Sequence, residues 1–192
     1  MCKSAFPRLA QLRHRLSRGF TLIELMVTVA VLAILSALAM PSMIRLIDNS
    51  RVSGTVSEYV AAINLARSEA VRRGSRVTIC AAQSPTVCKA GAGDWTAGYI
   101  VFADDGPAPG DPGTPGTLDA GEEVIKQRGE WAGVATVVGS ATVRRVSYLA
   151  SGRLEVGTMI GTVAFTPSTS QEQRYVCIDR SGRPRVDEMP CV

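Results

Sequence analysis

The stretch from Arg18 to Met40, R-G-F-T-L-I-E-L-M-V-T-V-A-V-L-A-I-L-S-A-L-A-M, constrains this chain more than any other. From Leu22 to Met40 it is apolar apart from one full charge, Glu24. At roughly 1.5 Å per residue, Phe20 to Met40 makes about 31 Å of helix, the thickness of a bilayer hydrocarbon core. A carboxylate deep in such a segment costs roughly 2.5–3.5 kcal/mol on insertion scales; near the end it costs less but still calls for a partner. The nearest available cation is an amine. A cut after Gly19 would give Phe20 a free N-terminus close to Glu24.

Two plainer readings of the segment compete. Ala37-Leu38-Ala39 has the small-x-small form that signal peptidase prefers, but the apolar run exceeds an h-region of about 7–15 residues and carries a glutamate. A plain membrane anchor gives no reason for the basic run to stop at Gly19. Lys3, Arg8, Arg13, Arg15 and Arg18 precede that glycine, and positive charge there holds a leader on the cytoplasmic side.

The basic leader, Gly19 and the run Phe20-Thr21-Leu22-Ile23-Glu24 together resemble the cleavage box of type IV prepilins and type II secretion pseudopilins. The resemblance implies that a prepilin peptidase cuts after Gly19 and methylates Phe20. It implies that Glu24 is kept for assembly, where it neutralises the N-terminal amine of a neighbouring subunit. Pro41 falls where pilins carry a helix-kinking proline. The expected organisation is a leader over 1–19, a transmembrane and assembly helix over 20–41, an amphipathic continuation over 42–74, and a β-rich domain over 75–192. The expected location is the inner membrane, single-pass, with the globular domain in the periplasm, followed by incorporation into a pilus or pseudopilus. The implied partners are the peptidase, the membrane, and other major and minor pilins or pseudopilins.

Charge and cysteine content fit this. The formal charge of +4 comes from the leader: taking its five basic residues from 21 leaves 16, against 17 acidic residues. The basic pI is therefore no sign of a domain basic throughout. Beyond Cys2 in the leader, four cysteines remain: Cys80, Cys88, Cys177 and Cys191. An even number in an exported chain reads as two disulfides. Four cysteines allow three pairings, and proximity favours Cys80–Cys88 and Cys177–Cys191. Loops of that size stabilise by roughly 2.5–3 kcal/mol each in the chain-entropy model. Zinc is the alternative, but there is no C-x-x-C, and the single histidine, His14, lies in the leader.

After Pro41, apolar residues recur at Ile44, Ile47, Val52, Val56, Tyr59, Ile63, Ala66 and Ala70, close to one helix face. Arg45, Asp48, Glu58, Arg67 and Arg72 occupy the rest, with Asp48–Arg51 and Glu69–Arg73 at pair spacing. Gly74 is the expected stop, with Arg72 and Arg73 facing the negative end of the dipole. From Arg76 the period changes to short β-rich runs at 77–81, 98–103, 123–128, 134–138, 143–149, 162–166 and 174–178. Short connections argue for antiparallel pairing.

The stretch V-T-I-C-A-A at 77–82, then Cys88, Trp95 and G-Y-I-V-F-A-D at 98–104, is similar to the GspH/FimT branch of the pilin superfamily. That resemblance implies an α+β, pilin-like fold: a long N-terminal helix laid on an antiparallel β-sandwich-like domain. Trp95 reads as a core plug rather than a binding residue.

Two segments carry candidate ligand chemistry. The stretch 104–123, D-D-G-P-A-P-G-D-P-G-T-P-G-T-L-D-A-G-E-E, holds Asp104, Asp105, Asp111, Asp119, Glu122 and Glu123 with no cation. It lacks the D-x-[DN]-x-[DN]-G calcium spacing, so a solvated, mobile hairpin loop is expected over a calcium site. The second is Arg180-Ser181-Gly182-Arg183-Pro184-Arg185. The arginine fork suits phosphate, Gly182 permits a tight turn, and Pro184 leaves Arg183 extended. This matches the G-R-x-R motif with which DNA-uptake FimT proteins contact DNA, at Gly182, Arg183 and Arg185, with Arg180 before it. DNA is thus a candidate partner; a solvated turn is the alternative, leaving a purely structural tip-region pseudopilin of type II secretion.

The mature chain has no histidine, no G-x-S-x-G and no glycine-rich phosphate loop after a strand, so neither catalysis nor a cofactor is expected. The leader makes the first prediction. Protein taken from membranes should have the intact mass of a chain that begins at Phe20 and carries one methyl group. A chain beginning at Met40 would instead mark signal-peptidase cleavage.

Overall fold

The computed structural model describes residues 19–91, 93–106, 108, 113–140, 143–155, 161–168 and 172–191. The leader through Arg18, with Cys2 and His14, lies outside them, as does Asp111. By contacts the chain forms two units, Met1–Pro41 and Ser42–Val192.

Helix α1 runs Leu22–Arg73 and carries Pro41 inside it. Thr21 is its N-cap: its hydroxyl accepts the Glu24 N–H at 3.2 Å, and its carbonyl accepts the Leu25 N–H at 3.1 Å. Thr21-Leu22-Ile23-Glu24 also has capping-box spacing. At the other end the Gly74 N–H bonds Ala70 O at 3.0 Å, with Gly74 at φ 68°. Glycine closes the helix there because it takes a left-handed φ without strain.

In the first unit every described side chain is exposed, Leu22 through Met40 included. A helix this apolar on all faces is stable only against lipid or other apolar helices. By length and composition it can cross a membrane.

In the second unit α1 buries Val52, Val56, Tyr59, Ala62, Ile63, Ala66 and Ala70. The expected stripe is corrected at its start: Ile44 and Ile47 are half-exposed, while Asp48 is buried. Stepping back four residues from Val52 reaches Asp48, and Ile47 falls off the face. Arg51 stands 3.8 Å from the Asp48 carboxylate.

Among the described residues nine strands follow: β1 (Val77–Ser84), β2 (Val87–Cys88), β3 (Tyr99–Ala103), β4 (Val124–Arg128), β5 (Val134–Gly139), β6 (Arg145–Tyr148), β7 (Gly161–Pro167), β8 (Arg174–Ile178) and β9 (Pro184–Asp187). One sheet has the order β2-β1-β3-β4, with β6 also on β1; the other has β5-β7-β8-β9. All of these pairings are antiparallel. Seven strands lie at the expected places, with β6 shorter than expected. Strands β2 and β9 were not expected, because neither Val87–Cys88 nor Pro184–Asp187 alternates over enough residues to show a period.

Alternation sorts the first sheet into two faces. Val77, Ile79 and Ala81 of β1, Tyr99 and Val101 of β3, and Val146 and Tyr148 of β6 point inward. They share one core with Val137, Val163, Phe165, Val176 and Ile178 of the second sheet and with the α1 stripe. Trp95 is fully buried, as expected, and its indole N–H donates to Val143 O at 2.9 Å. Cys80, Ala82, Ile100 and Phe102 point outward and make a smaller cluster, covered by Cys88, Leu118 and Val124.

Leu118 belongs to the acidic segment, which departs from the expected solvated loop at its two ends; 107 and 109–112 lie outside the described residues. Asp104 is fully buried, 3.0 Å from Arg76 Nη2, and accepts the Gly116 N–H at 2.7 Å and the Thr78 hydroxyl. Glu123 takes both arms of the Arg73 guanidinium, at 2.7 and 2.9 Å. Glu122 accepts the N–H groups of Gly106 and Asp119. The cations missing from the segment come from α1 and the turn after it, and backbone amides do the rest. Among the described residues no group of three or more potential ligands is placed to hold a metal. Gly116 sits at φ 77° against Arg145, where an added Cβ would fall 2.2 Å from Nε.

Asp104→Ala takes one carboxylate from Arg76, which keeps Glu155, and leaves the buried Gly116 N–H without its acceptor. It should lower the unfolding free energy by about 1–3 kcal/mol, read as a shifted urea midpoint with unchanged slope.

Candidate functional site

The sequence singles out two groups of residues, one in each unit. Gly19 and Phe20 precede α1, both exposed, and Glu24 lies exposed in its first turn. Gly19, Phe20 and the Glu24 carboxylate are thus on accessible chain, with Thr21 fixing where the helix starts.

The second group is the β8–β9 hairpin. Val176 and Ile178 of β8 anchor it in the core. Opposite β8, Pro184 pairs with Ile178, Arg185 with Cys177, Val186 with Val176, and Asp187 with Tyr175. Asp179 to Arg183 form the turn. The Gly182 N–H bonds Asp179 O at 2.9 Å, and Gly182 has φ 75°. Asp179 Oδ1 accepts from the Ser181 N–H at 2.8 Å, the Ser181 hydroxyl at 2.6 Å and the Arg183 N–H at 3.2 Å. Asp opening a turn and Gly closing it is the pattern that local side-chain bonding and a left-handed residue produce. The Ser181 hydroxyl, followed by the Arg183 N–H, holds the Asp179 carboxyl below the usual carboxylate range.

Tyr148 pins the turn from beneath: its buried hydroxyl donates to Gly182 O at 2.6 Å. Burial pushes the Tyr148 hydroxyl well above its ordinary value, so it stays protonated and a donor. Arg180, Arg183 and Arg185 are exposed around this fixed backbone. They differ in one respect: Arg185 Nε is 3.0 Å from Asp187 Oδ2, so its charge is already shared. Asp179 and Tyr148 are site residues that the sequence reading passed over. The D-R-S-G turn pattern could have shown the first, but only the fold brings Tyr148 to the turn.

The disulfides lie on outer faces. Cys177 is bonded to Cys191, with Cα atoms 5.8 Å apart, and the Cys191 N–H reaches Thr162 Oγ1 on β7 at 3.3 Å. Cys80 is bonded to Cys88, at 5.7 Å, tying β2 to β1. The first holds the chain after β9 back across the sheet and limits how far the hairpin can splay.

A long N-terminal helix whose second half packs on antiparallel sheets, behind a methylation-type N-terminus, defines a pilin-like protein. The prokaryotic N-terminal methylation motif matches residues 14–40. The family model for type II transport protein GspH matches residues 55–182, and the chain belongs to that family. Among solved structures it is similar to the type IV minor pilin FimU of Pseudomonas aeruginosa strain PAO1. In one crystal form the TM-score is 0.53 at 18% identity, covering 75% of this chain and 95% of that one. In another it is 0.51 at 19% identity, covering 72% and 96%. No curated protein matches the chain.

If Tyr148 fixes the turn, Tyr148→Phe leaves the Gly182 carbonyl buried without its donor. The expected cost is about 1–3 kcal/mol, measured by urea unfolding, with faster amide exchange at Gly182 and Arg183. Gly182→Ala should cost more, since its Cβ would lie 2.7 Å from the Tyr148 ring at a left-handed φ.

Proposed function

We propose that this chain is an inner-membrane minor pilin that, once cut after Gly19 and assembled through its apolar helix, contacts DNA with the arginine turn. In the membrane, Phe20–Pro41 spans the bilayer and the Ser42–Val192 unit lies in the periplasm. In the filament, Glu24 neutralises the methylated amine of a neighbouring Phe20, which removes two unpaired charges from an apolar environment at once. The observation that carries the DNA reading is the turn itself. Arg180, Arg183 and Arg185 stand exposed on a backbone held by Asp179 and Tyr148. Guanidinium groups on a fixed scaffold lose little freedom on meeting phosphates.

The placement of the acidic segment supports the same reading. Ser147 and Tyr148 are adjacent on β6 and face opposite ways. The Ser147 hydroxyl is 2.7 Å from that of Thr78, which serves Asp104, while Tyr148 serves Gly182. Asp104, at the start of the acidic segment, therefore lies across β6 from the arginine turn.

The second reading is a structural pseudopilin of the type II secretion filament. The family description supports it, and so does the pairing of Arg185 with Asp187, which weakens the arginine set.

Titration of labelled duplex separates the two. Three phosphate contacts from the turn contribute about −2.7 to the slope of log K against log salt, with affinity of about 10⁻⁴–10⁻⁶ M. Arg183→Ala should make the slope shallower by about 0.9. Equal binding by wild type and an Arg183→Ala, Arg185→Ala double variant, or no binding at low salt, would return the chain to the secretion filament.

A further inference from the structure

The arginine turn packs against a corner of the chain that the sequence places far from it. Gly182 touches Leu154: a Cβ built on Gly182 would lie 3.2 Å from Leu154 Cγ, and Leu154 is itself bridged to Tyr148. This corner, between β6 and β7, is a tight loop. The Leu149 N–H bonds Arg153 O at 2.9 Å, and the Gly152 N–H bonds Leu149 O at 2.7 Å. Arg153 is exposed on it. The far side of the corner rests on α1. A Cβ on Gly152 would lie 2.9 Å from Val71 Cγ2 and 3.5 Å from Arg67 Nε. Tyr148, in the middle, feels the charges of both Arg67 and Asp179. Three segments distant in sequence thus meet around Tyr148, and each carries an arginine.

Nearby carboxylates are taken up elsewhere. Asp179 is bonded to Ser181 and Arg183 N–H groups inside the turn. Glu155, beside the corner, pairs with Arg76. On α1, Glu69 pairs with Arg72 and Arg73, and the positions three and four from Arg67 are Ile63, Asn64, Ala70 and Val71, none acidic. On β9, Asp187 pairs with Arg185. Among the described residues neither Arg67 nor Arg153 is in an ion pair.

We infer that Arg153 and Arg67 continue the arginine turn into one basic track for a DNA backbone, running from Arg180 and Arg183 over the β6–β7 corner to α1. This rests on the DNA reading of the turn. Its chemistry is that of a phosphate chain, whose negative charges recur at about 1.7 Å along a duplex axis and need cations spread along a path. A single phosphate would need only the turn.

The test uses the full mature chain in non-ionic detergent and a fluorescein-labelled duplex, with anisotropy read across a salt series. Arg153→Ala and Arg67→Gln should each make the slope of log K against log salt shallower by about 0.9, additively. Arg153→Lys should restore it, since a phosphate contact needs charge more than the fork. Glutamine at 67 keeps most of the packed stem, so loss of fold does not confuse the result. If Arg183→Ala flattens the slope but Arg153→Ala and Arg67→Gln match wild type, the track is wrong and the turn binds alone. If wild type does not bind, or Arg183→Ala is without effect, the reading of the turn fails and the track with it. If poly-L-glutamate competes as well as duplex at equal charge, the surface is a general polyanion site and the assignment to DNA is overturned.

Discussion

One stripe of α1 must meet the inner faces of two sheets at once, and the Ser42–Val192 unit depends on that contact. Tyr59 is its centre, with its ring centroid 5.3 Å from Trp95, 5.5 Å from Phe165 and 6.4 Å from Tyr99. Trp131 closes the set against Tyr99 and Phe165. These rings come from the helix, from β3, from β7 and from the loops before β3 and before β5. Each pair contributes about 0.5–1.5 kcal/mol beyond its area burial. Toward the end of the helix the stripe narrows to Ala62, Ala66 and Ala70, all fully buried. Small residues there let sheet backbone come close, and Tyr59 fills the wider space below.

That contact was largely legible, because it is written in period. The 3.6-residue spacing from Val52 to Ala70 and the two-residue alternation of β1 and β3 each name their buried face. Where the period is carried by too few residues, it misleads or falls silent. Ile47 looks like a continuation of the stripe until the step from Val52 is counted, and then Asp48 takes its place. Strands β2 and β9 exist because partners hold them: Val87–Cys88 by β1 and the Cys80 disulfide, Pro184–Asp187 by the register of β8. The acidic segment was the plainest departure. Composition alone says that its carboxylates repel and its prolines and glycines prevent regular structure. It does not say that Arg73 and Arg76 arrive from outside the segment, or that Leu118 has an apolar patch to cover. Of the candidate site, the arginines were visible as a motif. Their support by Tyr148, and the nearness of Arg153 and Arg67, belong to tertiary structure and leave no local trace.

Charge in this molecule is segregated rather than abundant. Once the leader's five basic residues are set aside, acidic residues slightly exceed basic ones. A near-neutral chain has no long-range pull on a polyanion, so attraction depends on which charges are spent internally. Asp104, Glu123, Glu155 and Glu69 are spent on Arg73, Arg76 and Arg72. The pairs are not equal in value: Asp104 is fully buried and its interaction with Arg76 is little screened, while Glu123 faces solvent and gains little. The arginines on the turn and corner, Arg185 apart, keep their charge for whatever approaches. On the proposed reading, the fold makes a basic surface without a basic composition.

On the proposed DNA reading, such a surface on one subunit would bind weakly, and its rigidity would give it use in a polymer. A few phosphate contacts leave a single chain in the range of non-specific binding, about 10⁻⁴–10⁻⁶ M. Subunits joined through their apolar helices would present several tracks to one strand, and each later contact would then be intramolecular. That gain requires every track to hold its geometry, since a turn that must order itself at each contact loses free energy each time. The bonds from Asp179 and Tyr148 and the Cys177–Cys191 disulfide remove that loss in advance. On the DNA reading proposed above, the backbone fixed by Asp179 and Tyr148 is what supports placing recognition at the β8–β9 hairpin.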